Sequence, residues 1–178
     1  MIFDFLSPQE IVLVIITLYC IYTDLRWRKI FNYVTFPGII LGLGLNLIMH
    51  GASGLAIAFL GMLTGGAIIF LMYLAGGVGA GDVKYLAASG ALMGPSFIFR
   101  ATLYGIIGGG IFVVLYMLFS GRLKRLIVDT ADIFRRTIMM KKLDVTSFET
   151  DRLYIPYGVF LGIGVLVHLV EIKGIINI

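Results

Sequence analysis

The chain has 178 residues, of which 60 % are hydrophobic and only 13 % charged. A soluble domain carries roughly a quarter charged residues, so this composition requires lipid around the chain and excludes an ordinary water-soluble fold. The net charge of +4 does not point to nucleic acid as a partner, because Lys and Arg lie between apolar runs rather than along one phosphate-binding stripe.

Ser7-Pro8-Gln9-Glu10 predicts a helix start, with Ser7 as cap, Pro8 in the first turn and Glu10 reaching back. Met1–Ser7 carries Asp4 and no positive charge, so the following run Ile11–Thr23 reads as a retained span rather than a cleaved signal. That run stops at Asp24, which the pattern places at the end of the first helix, and the charged stretch Asp24–Lys29 follows with Trp27 suited to an interface. A second span covers about Tyr33–Met49, His50–Gly54 reads as a turn, and a third span covers about Leu55–Ala75. The third ends in a glycine-rich stretch that leads to Asp82. A fourth segment runs from near Val83 to Gly94-Pro95, which should break or kink it. The fifth is about Ala101–Phe119 and the sixth about Leu153–Val170. The expected fold is therefore all-α: a single-domain polytopic bundle of about six transmembrane helices over residues 1–178. Between the last two spans, Ser120–Arg152 alternates apolar and basic residues at helical spacing, which predicts an amphipathic helix on the inner membrane surface.

Orientation follows from the basic residues. With the N-terminus outside, twelve of the fourteen Lys and Arg fall on inside segments, and only Arg100 and Lys173 fall outside. Asp24 and Asp82 then both lie on the cytoplasmic side of an inner membrane. Of the ten acidic residues, Asp4, Glu10 and Glu171 sit at outer ends, and five lie in the basic segment after Phe119, where ion pairing or solvation explains them. Asp24 and Asp82 are each joined directly to an apolar helix, where an ionisable group is costly and by default functional. A two-helix hairpin between them returns the chain to the same face. Two carboxylates held close cannot both ionise easily, so one keeps its proton while the other stays a base that can activate water. Such chemistry needs no metal or other cofactor. His50 and His168 fall near the outer face, remote from the aspartates, and read as interfacial residues; Cys20 reads as a small packing residue.

Gly79-Ala80-Gly81-Asp82 is a G-x-G-D motif, weak alone and strong opposite a second isolated aspartate. Gly79 and Gly81 allow an extended peptide to approach Asp82 closely. Lys84 reads as an active-site-loop residue making headgroup or structural contact rather than performing catalysis. Together with Tyr22-Thr23-Asp24-Leu25-Arg26, Lys29-Ile30-Phe31-Asn32 and Ile155-Pro156-Tyr157-Gly158, this motif resembles the type IV prepilin peptidase family of aspartyl proteases. Phe31 stands where that family often has proline. The resemblance implies that Asp24 and Asp82 form the catalytic pair. It also implies a prepilin, pseudopilin or preflagellin-like substrate, whose basic leader is removed ahead of a hydrophobic helix after a glycine. With Cys20 as its one cysteine, the chain lacks the paired Cys-x-x-Cys segments of larger members. It is similar to the compact, peptidase-only form serving tight-adherence pili, which implies no methyltransferase activity.

Three rivals use the same residues differently. A presenilin-type protease would place the first aspartate after tyrosine, deep in a longer helix. A small transporter would use Asp24 and Asp82 as proton or cation relays, with repeats or helices broken at the bilayer midplane. A structural assembly subunit would use the aspartates as helix caps.

Overall fold

A computed structural model of the chain describes residues 6–74, 78–119 and 156–174, and every regular element among them is helical. The helices are α1 (Pro8–Trp27), α2 (Asn32–Leu74), α3 (Ala80–Met93), α4 (Pro95–Phe119) and α5 (Tyr157–Ile172). Two compact units are formed, Met1–Gly109 with Pro156–Ile178, and Gly110–Ile155. Both aspartates lie in the first. In the second, the described residues belong to α4, where Phe112 and Tyr116 stack with centroids 6.3 Å apart. The expected surface helix over 120–152 lies outside the described residues.

Local chemistry sets the helix limits. Ser7 accepts from the Glu10 N–H at 3.4 Å, while the Glu10 carboxylate accepts from the Ser7 N–H at 2.6 Å, so both orphan donors are satisfied. α1 runs one turn past Asp24 and stops where Arg28 adopts φ 55°, its N–H donating to the Asp24 carbonyl at 2.9 Å. Asp24 therefore sits inside the last turn of α1 rather than ending it. The charged stretch after Asp24 did not stop the helix, because Leu25, Arg26 and Trp27 face outward and helical backbone costs them nothing extra.

α2 has 43 residues and would extend about 65 Å if straight, roughly twice a hydrocarbon core. It is not straight: Gly51, at φ 64° and ψ −150°, turns the chain back within the expected loop. The packing on α3 confirms the reversal. Gly38 faces Ala88 and Gly42 faces Ala91, so the first arm runs parallel to α3; Gly61 faces Gly90 and Gly65 faces Leu86, so the second runs antiparallel. At Gly61 and Gly90 the two backbones touch with no room for a Cβ, the close approach that membrane helices use in place of a hydrophobic driving force.

α3 ends where Gly94 takes φ 85°, and Pro95 opens α4 at the expected break. The carbonyls freed by that break need donors in an apolar setting. Asn46, buried in α2, supplies them: its amide nitrogen reaches the carbonyls of Ala91 at 3.0 Å and Leu92 at 3.2 Å, and its oxygen accepts from Gln9 of α1 at 3.0 Å. α5 runs antiparallel to α1, with Gly158 near Asp24 and Gly162 on Ile21, while Gly164 packs on Ala101 and Gly105 of α4.

Three helices, Pro8–Trp27, Asn32–Leu74 and Pro95–Tyr116, are long and apolar enough to cross a membrane, and α5 is a shorter apolar helix. Large side chains such as Ile48, Leu71 and Ile40 are 83 %, 71 % and 69 % exposed, a surface suited to lipid and not to water.

Candidate active site

Asp24 and Asp82 come from helices that the sequence separates by 58 positions, and the fold buries both, at 4 % and 8 % exposure. A hydrogen bond between buried side chains fixes their register. The Tyr85 hydroxyl, on the same face of α3 as Asp82 and one turn further in, donates to the Thr17 hydroxyl at 3.0 Å, two turns in from Asp24. Antiparallel helices pinned there bring the two aspartates to one end of the bundle.

Each carboxylate is held by a backbone N–H at a helix start. Asp82 lies at the third position of α3, and its Oδ2 accepts from the Gly79 N–H at 2.9 Å. Gly79, not Asp82, occupies the cap position, so the aspartate reaches back across the first turn and leaves Oδ1 facing the bundle. Asp24 Oδ2 accepts from the Val159 N–H, in the first turn of α5, at 3.2 Å. Between them stands Gly158. A Cβ built on it would lie 2.8 Å from Asp24 Oδ2 and 2.9 Å from Asp82 Oδ1, so those oxygens are no further apart than these two distances laid end to end. The two carboxyl groups therefore face one shared space at the start of α5.

The remaining expected site residues frame the pair. A Cβ on Gly81 would meet Ile30 Cβ at 2.9 Å, so the α1–α2 loop lies directly on the glycine turn. Ile30 itself reaches to 3.0 Å from the Gly158 Cβ position, which makes it an apolar wall of the site. Lys84 reaches toward the start of α2. Its Nζ donates to Asn32 Oδ1 at 2.9 Å and sits 5.5 Å from the Phe36 ring centre, tying α3 to the start of α2. Phe31, where a proline was anticipated by resemblance, stacks on Tyr33 at 5.1 Å and meets Trp27 edge-on at 6.0 Å, so aromatic contacts hold this turn.

Residues 11–114, more than half of the chain, match the family model of the type IV leader peptidases. The chain belongs to that family. No curated protein and no solved structure gives a match. The stretch shared with the leader peptidases contains Asp24, Ile30, Asp82 and Lys84, and ends before α5. Membership favours a membrane peptidase over the transporter alternative.

Two site residues escaped sequence reasoning. Ile30 stands out in the sequence only as part of a motif, and Val159 acts through its backbone, which no side-chain pattern reports. His168 also departs from its interfacial reading. It is 2 % exposed, packed between Phe97 and Tyr104, with its Nδ1 2.7 Å from Glu171 Oε2. The His-x-x-Glu spacing, three residues along one helix, was the available signal.

Proposed function

We propose that this leader peptidase is an aspartyl endopeptidase that removes the basic leader from prepilin-like substrates at the cytoplasmic face of the inner membrane. The observation that carries the reading is the meeting of Asp24 and Asp82 on either side of Gly158. The ionised member takes a proton from water as the resulting hydroxide adds to the scissile carbonyl carbon. The protonated member gives its proton to the carbonyl oxygen as the C=O double bond opens. Collapse of the tetrahedral intermediate expels the amine, which leaves with a proton returned from the pair. One water is consumed and one acid and one amine are produced.

The proposed topology has six spans: α1, the two arms of α2, α3, α4 and α5, with the N-terminus outside. The substrate is a prepilin, pseudopilin or preflagellin whose hydrophobic helix lies in the bilayer beside the bundle. Its leader reaches Asp82 past Gly79 and Gly81. The absence of paired Cys-x-x-Cys motifs supports a peptidase without methyltransferase activity. Cleavage of a co-expressed prepilin by the wild type and by Asp24→Asn and Asp82→Asn tests this. The amide matches the acid in size but supplies no base, so both variants should insert normally and fail to cut. Wild-type cleavage by either variant refutes the dyad.

A further inference from the structure

The first turn of α5 lies outside the stretch matched to the family, yet it touches both aspartates. We propose that Gly158 is a positioning residue of the pair: its missing side chain lets α5 lie against both carboxylates at once and brings the Val159 N–H onto Asp24. This rests on the aspartyl reading above and extends it to a third element of the site.

A methyl group on Gly158 would stand 2.8 Å from Asp24 Oδ2, 2.9 Å from Asp82 Oδ1 and 3.0 Å from Ile30 Cδ1, closer than carbon normally approaches any of them. Ile30 Cδ1 is the end of a flexible chain and can move aside. The carboxylates are less free, because Asp24 Oδ2 holds the Val159 N–H and the other oxygen of Asp82 holds the Gly79 N–H. An alanine must therefore push α5 outward or force the carboxylates apart. Val159 is the next residue, so the first route lengthens its bond to Asp24, and the second changes the spacing on which proton sharing depends. Other glycines of α5 serve differently. Gly162, one turn further on, faces the side chains of Ile21 and Thr17, and Gly164 faces the backbone of Ala101 and Gly105. Those positions let helices pack; Gly158 lets a helix meet two acids.

The test uses the full-length protein in proteoliposomes with a synthetic substrate containing a basic leader, a glycine and an apolar helix. It compares kcat and KM for the wild type, Asp24→Asn, Asp82→Asn, Gly158→Ala and Gly162→Ala. Gly158→Ala should lower kcat by about 100-fold or more, with KM changed by less than about threefold, the signature of reacting groups displaced by about an ångström. Gly162→Ala should keep kcat within about threefold, because its methyl presses on the Ile21 side chain, with Thr17 Cγ2 at an ordinary 3.4 Å, and meets neither carboxylate. Wild-type kcat in Gly158→Ala overturns the positioning role, and so do equal losses in both glycine variants. Wild-type turnover in an aspartate variant overturns the dyad itself, whatever Gly158 does. If Gly158→Ala does not accumulate, the change is placed in an Asp24→Ala/Asp82→Ala chain. Recovered accumulation there traces the conflict to the carboxylates, whereas continued loss overturns the proposal.

Discussion

The two ends of the helical bundle both carry acids, and they treat them in opposite ways. At one end Glu10 pairs with Lys173 at 2.8 Å, while Glu171 receives the Tyr104 hydroxyl at 3.0 Å and lies against His168. Each acid there is answered by a donor or a cation from another side chain. At the other end Asp24 and Asp82 are brought against one another across a glycine. A buried acid matched to a cation closes a structure, whereas two acids that face one shared space suit the proton transfers of the proposed reaction. In the proposed reaction, the second end is the reactive one.

The largest expected effect is the difference between the same chemical change at the two ends. Asp24→Asn or Asp82→Asn should reduce leader cleavage by about a thousandfold or more, as expected when one member of a cooperating pair is removed. Glu10→Gln should leave cleavage within about threefold while lowering stability by about 1–3 kcal/mol, since it removes the carboxylate's charge from its pair with Lys173. Cleavage assays and thermal unfolding of the same preparations read both. Loss of cleavage in Glu10→Gln with normal folding would erase the distinction between the ends.

Asn46 gives the next effect, on stability alone. Its amide donates to the Ala91 and Leu92 carbonyls freed where α3 breaks before Pro95. Asn46→Leu has similar volume and strands both acceptors in an apolar setting, at a cost of about 2–4 kcal/mol. A fall in unfolding temperature with unchanged KM in the folded fraction is the expected result.

What the sequence could reveal divides along the same physical lines. Asp24, Asp82, the Ser7 cap, the Gly51 turn and the Gly94-Pro95 break all act through a side chain or a backbone preference that residue identity announces. The close approach at Gly158 and the Val159 N–H depend on which helix lands against which, and that follows from tertiary packing. Asn46 was passed over inside an apolar span because its partners are carbonyls 45 and 46 positions away. His168 departs from its interfacial reading for a related reason: its inward facing is set by packing on Phe97 and Tyr104 of α4. Lys84 lies two positions from Asp82 and so on another helical face, and its Nζ bonds Asn32 of the neighbouring helix.

That Lys84 reading supplies the smallest prediction. Lys84 ties α3 to the α1–α2 turn through Asn32, and the same turn presses Ile30 onto Gly81 and toward the Gly158 gap. Lys84→Met keeps the apolar stem over Phe36 and removes the charge-assisted bond, worth about 1 kcal/mol at a half-exposed site. The turn still has the Phe31–Tyr33 and Trp27–Phe31 contacts to hold it, so cleavage should fall by no more than about fivefold, mostly in kcat, because Ile30 walls the site. Asn32→Ala removes the same bond from the other side and should match it, with the double variant no worse than either single one. A loss in Lys84→Met as large as that in Asp82→Asn would instead place Lys84 among the reacting groups, and the line between the acids that act and the residues that hold them would have to be redrawn.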